Sequence, residues 1–115
     1  MRLITIIFWC TIALNTIMSL IPTLSVPDLF NFWDKAQHFL SFVIIAIIGC
    51  MAYPKSWKGL AVGLIAYGAA VEIAQGTLTA TRFGDIFDLI SDGLGSVAGI
   101  FICLTARRLL QFTKK

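Results

Sequence analysis

Charge is scarce in this sequence: 13% of its 115 residues are Asp, Glu, Lys or Arg, while 58% are hydrophobic. A soluble domain carries about 25% charge, so this chain lacks the polar surface that water requires, and a mean hydropathy of +0.89 agrees. Proline is equally sparse, confined to Pro22, Pro27 and Pro54, and long apolar stretches run uninterrupted between those positions. The three cysteines, Cys10, Cys50 and Cys103, stand singly in apolar runs. With no CxxC or metal-like spacing they suggest neither a disulfide framework nor a zinc site, and they read as small buried hydrophobes. No low-complexity tract and no internal repeat is evident, so the inverted-repeat architecture of many transporters is not signalled. A net charge of +3 does not imply nucleic acid, because most of the basic residues flank apolar segments and there orient helices.

What the chain does have is bilayer-length apolar runs. A helix of about 20 residues at about 1.5 Å per residue crosses a hydrocarbon core. The pattern predicts an all-α, four-helix transmembrane bundle forming one membrane domain, with spans at about 3–21, 36–53, 57–75 and 86–105. Pro54 ends the second span, and Gly76 is expected to break the third. For the first run, Arg2 followed by apolar residues also fits a cleaved signal peptide. Phe8 and Trp9, too bulky for a lipobox, exclude a lipidated Cys10. Arg2, Lys55, Lys58, Arg107, Arg108, Lys114 and Lys115 fall on one side, Lys35 and Arg82 on the other. The positive-inside rule therefore puts both termini in the cytoplasm. The aromatic-rich connection between the first two spans, with Leu29, Phe30, Phe32 and Trp33, suits an interfacial segment on the outer side.

That orientation gathers the remaining ionisable residues at the outer half. Asp34, Lys35 and His38 open the second span, Glu72 and Gln75 close the third, and Arg82, Asp85, Asp88 and Asp92 occupy the last connection and the start of the fourth. Asp34 and His38, and Asp88 and Asp92, are four apart, and Glu72 and Gln75 three apart, so each pair shares a helix face. Gly95 and Gly99 continue the Asp88–Asp92 stripe as a GxxxG pair, and Gly59 and Gly63 form another, both expected to bring helices close. Ionised carboxylates in hydrocarbon cost several kcal/mol, about 2.5–3.5 for Asp even on insertion scales, and so mark candidate sites. His38 can act as a general base oriented by Asp34 or Glu72, or serve as an interhelical hydrogen-bond partner. The carboxylates can bind a divalent cation, supply an acid/base pair, or lock helix ends by pairing with Arg82, the expected fate of Asp85. Arg82 can grip a phosphate or carboxylate headgroup, or anchor at the interface. No cofactor or metal is specified by the sequence alone.

Asp34-Lys35 with His38, Phe39 and Phe42, then Glu72 and Gln75, then Arg82, Asp88, Asp92, Gly95 and Gly99, together resemble the VanZ-like family, over about 34–99. The resemblance implies a multi-pass protein of the bacterial cytoplasmic (inner) membrane, associated with the cell envelope, whose named member is linked to low-level teicoplanin resistance. It implies polar residues at Asp34, Lys35, His38, Glu72, Gln75, Arg82 and Asp88. Asp92 stands where the family often has asparagine, so its role carries over less directly. Two functions follow as expectations. In one, an extracytoplasmic site binds or processes a lipid or envelope-precursor headgroup, with His38, Glu72 and Asp88 catalytic and Asp34, Lys35, Gln75, Arg82 and Asp92 binding. In the other, the chain is a non-enzymatic membrane assembly factor.

Overall fold

A computed structural model describes residues 2–20, 32–78 and 86–113, the side chains of 32–35, 78, 112 and 113 apart. It contains four helices, α1 Leu3–Leu20, α2 Phe32–Ala52, α3 Trp57–Leu78 and α4 Ile86–Thr113, and no strand among the described residues. Three of them, α1, α3 and α4, are long and apolar enough to cross a membrane. In α2 the apolar stretch is the shorter Ala36–Ala52. The surface agrees with a lipid solvent. Leu3, Val62 and Phe101 are each at least 70% exposed, an arrangement that water would penalise over so many residues. Glu72, Gln75, Asp88, Asp92 and Ser96 are instead buried.

The helices run past the expected spans in three places, for one reason: hydropathy marks the edge of hydrocarbon, not the end of a hydrogen-bond ladder. α2 starts four residues early, at Phe32, so Asp34 and Lys35 belong to its first turns. α3 continues through Gly76 to Leu78, since one glycine costs only about 1 kcal/mol relative to alanine and does not stop a helix. α4 reaches Thr113, 28 residues in all, or about 42 Å at 1.5 Å per residue. Of the expected interfacial connection, Phe32 and Trp33 open α2, and Pro27, Leu29 and Phe30 lie outside the described residues.

α2 and α4 form the tightest pair, α3 packs on both, and α1 lies against α2 and α3. The reason for the α2–α4 approach is the GxxxG pair. A Cβ on Gly95 would collide with the Phe39 carbonyl oxygen, and one on Gly99 would meet Val43 O at 2.5 Å and Ala46 Cβ at 2.7 Å. The other pair behaves differently from expectation. Gly59 and Gly63 have nothing within 4 Å of a built Cβ and line an apolar groove with Phe8, Trp9, Leu60 and Tyr67. α3 makes its close approach at Gly68, where a Cβ would stand 3.2 Å from the Asp92 Cβ.

α1 buries only Phe8 and is held by polar contacts instead. Arg2 Nη2 donates to Ala52 O at 2.8 Å, filling one of the carbonyls left open at the α2 C-terminus, where a cation also suits the helix dipole. Trp9 Nε1 donates to Tyr53 Oη. Deeper in the bundle, Tyr67 Oη accepts from Asn15 Nδ2 at 3.1 Å, lies 2.6 Å from Thr16 Oγ1 and reaches Ile12 O. Of the cysteines, Cys50 and Cys103 are buried as expected, whereas Cys10 is exposed, because α1 turns that face outward.

Candidate functional site

Helix ends explain how four polar side chains meet. His38 is the seventh residue of α2 and Asp92 the seventh of α4, while Glu72 lies six residues before the end of α3. Each is therefore about 9 Å inside its helix terminus at 1.5 Å per residue. The connections place the α2 and α4 N-termini beside the α3 C-terminus, so the three residues share one level. The basic residues Arg2, Lys55, Lys58, Arg107 and Arg108 belong to the opposite end, and Lys35 lies in the first turn of α2 at the end of the cluster.

His38 is the centre. Its Nδ1 lies 2.9 Å from Asp92 Oδ1, a hydrogen bond by length. Glu72 Oε1 stands 3.9 Å from Nδ1 and Asp88 Oδ2 stands 3.8 Å from Nε2, both too long for direct hydrogen bonds. Asp92 is wholly buried, Asp88 5% and Glu72 7% exposed. With the Asp92 carboxylate accepting from Nδ1–H, the neutral ring keeps its lone pair on Nε2. Asp88 sits in the first turn of α4, where the positive end of the helix dipole favours a carboxylate. Ser96 Oγ donates to Asp92 O, and Gly68 leaves the space Asp92 occupies.

Gln75 is drawn to a different partner. Its Nε2 donates to Ser19 O at 2.9 Å, tying α3 to the end of α1. Asn15, Met18, Ser19, Gln37, His38, Ser41 and Gln75 line an open, mainly polar pocket of about 170 Å³ beside His38. At about 30 Å³ per water it has room for roughly six waters, and it is smaller than the roughly 300–1,000 Å³ of drug-sized ligand sites.

The structure thus brings His38, Glu72, Asp88 and Asp92 together and sets Gln75 on the neighbouring cavity wall. The side chains of Asp34 and Lys35, and all of Arg82 and Asp85, lie outside the described residues. Of the expected orienting partners of His38, Glu72 stands at 3.9 Å and the side chain of Asp34 is not among those described; Asp92 makes a 2.9 Å contact. Ser41, Gln37, Ser19, Tyr67 and Gly68 were not singled out by the sequence. A signal existed for some: Asn15 and Ser19, four apart in an otherwise apolar run, mark the α1 face that meets Tyr67 and Gln75. The chain matches no protein-family model, no curated protein and no solved structure.

Proposed function

We propose that the chain is a VanZ-like envelope protein of the bacterial cytoplasmic membrane, with both termini cytoplasmic and the His38 cluster near the outer leaflet. Its task is to bind, and act by acid/base chemistry on, a small polar headgroup of a lipid or envelope precursor. The observation that carries this reading is the His38–Asp92 contact of 2.9 Å beside a polar cavity. A carboxylate on Nδ1 holds the imidazole in one tautomer and stabilises its charge when Nε2 takes a proton. Asp88, on the Nε2 side, is placed to orient the group that gives up that proton, and Glu72 adds a second acid/base function. Arg82 would hold an anionic headgroup. The orientation is supported by the gathering of Arg2, Lys58, Arg107 and Arg108 at the end away from the cluster. The cavity takes a headgroup fragment; a glycopeptide antibiotic is far too large, so any effect on teicoplanin susceptibility would be indirect, through the envelope.

The test compares lipid extracts and wall precursors by mass spectrometry from cells with and without the gene, complemented by His38→Ala, Glu72→Gln or Asp88→Asn. A processed species that changes on deletion and is not restored by variants of normal abundance is expected. Unchanged profiles, or full restoration by all three variants, would replace this reading by the assembly-factor function.

A further inference from the structure

We propose that His38, Glu72 and Asp88 form a binding site for one divalent transition-metal cation of the Zn²⁺ or Mn²⁺ class, with Asp92 positioning the histidine. The proposal rests on reading the cluster as a functional site and adds what the site holds. One ring nitrogen of His38, one Glu72 oxygen and one Asp88 oxygen all lie within 4.8 Å of one another. The centre of such a triangle is within about 2.8 Å of each atom, while Zn–N and Zn–O bonds are about 2.1 Å. Inward shifts of about 0.7 Å, small side-chain rotations for Glu72 and Asp88, complete the bonds. The 3.8 Å between Nε2 and Asp88 Oδ2 exceeds hydrogen-bonding length yet approaches the roughly 3.4 Å between neighbouring ligands of a tetrahedral ion; Glu72 Oε1, 3.9 Å from Nδ1, must swing toward Nε2 to join it.

Three further features fit a metal. Asp92 Oδ1 lies 2.9 Å from Nδ1; with Nδ1 protonated this is the carboxylate–histidine pairing that fixes the tautomer and leaves Nε2 to coordinate. The polar cavity lined by His38 and Gln75 has room for waters next to the cluster. The donor set, one nitrogen and two oxygens, favours Zn²⁺ or Mn²⁺ over the all-oxygen preference of Mg²⁺ and Ca²⁺. The buried thiols Cys50 and Cys103 belong to the opposite half of α2 and α4, so a thiolate-seeking ion gains nothing here.

The full chain in detergent, stripped by chelator and re-equilibrated with Zn²⁺ or Mn²⁺, is analysed for metal per chain by mass spectrometry. One ion per chain is expected, falling below about a tenth in His38→Ala and in the shape-preserving Glu72→Gln/Asp88→Asn double variant. Asp92→Asn should weaken affinity about 10–100-fold. Should the variants not fold, Co²⁺ absorption of the unaltered protein decides: tetrahedral d–d bands support the site. Metal-free unaltered protein, absence of those bands, or folded variants that bind as well as the unaltered chain overturns it. The cellular lipid comparison is independent: a metal-free protein that still needs His38 for its lipid phenotype loses the metal and keeps the acid/base function.

Discussion

Replacing Gly99 by alanine puts a methyl group 2.5 Å from Val43 O and 2.7 Å from Ala46 Cβ. Carbon atoms rest about 3.5–4.0 Å apart, so α4 must retreat from α2 by about 1 Å along the contact the bundle depends on most. Overpacking of this kind costs about 1–3 kcal/mol. Alanine also raises helix propensity, and Gly63→Ala, with nothing within 4 Å, supplies the control because it carries the same propensity gain of up to about 1 kcal/mol. The difference between the two variants isolates the steric effect: about 1–3 kcal/mol, or between fivefold and more than a hundredfold in the folded ratio. Reversible unfolding in mixed micelles, followed by circular dichroism, measures it. The displacement also carries Asp92 and Asp88 away from His38, and a 1 Å misplacement can cost about 10²-fold in a reacting site. Equal unfolding midpoints for Gly99→Ala and Gly63→Ala would refute the assignment of Gly99 to the α2–α4 seam.

Gly68→Ala brings a Cβ to 3.2 Å from Asp92 Cβ and Oδ2, so it should disturb the His38–Asp92 contact more than the fold; cellular function should fall while the unfolding midpoint moves by less than that of Gly99→Ala. Tyr67→Phe removes the hydroxyl that meets Asn15, Thr16 and Ile12, at about 0.6 kcal/mol for each interhelical bond in a membrane; hydrogen exchange should accelerate in α1 and stay unchanged in α2 and α4. A periplasmic reporter fused within 79–85 should be active and one fused at Lys115 inactive, as the charge distribution requires.

The existence of four helices, and the end of the bundle at which each polar residue falls, follow from sequence because both depend on local quantities. Apolar run length sets a span, and the position of Glu72, His38 or Asp88 along its own run sets its level. Helix ends were less legible: Asp34, Lys35 and Gly76 interrupt hydropathy without interrupting the hydrogen-bond ladder. The GxxxG spacing of Gly95 and Gly99 is indistinguishable in sequence from that of Gly59 and Gly63, because only the neighbouring helix determines whether a missing side chain is filled by backbone or left as a groove.

By itself, then, the sequence determined an apolar, all-helical membrane chain with its acids gathered at one end, since composition and period are properties of single segments. Tertiary structure decided that Asp92 stands closer to His38 than Glu72 does, that Gln75 turns to the Ser19 carbonyl, and that α1 is tied on by Tyr67. Those choices rest on the rotation of each helix about its axis. That rotation is fixed by which side chains interdigitate across helices, and spacing within one helix leaves it open.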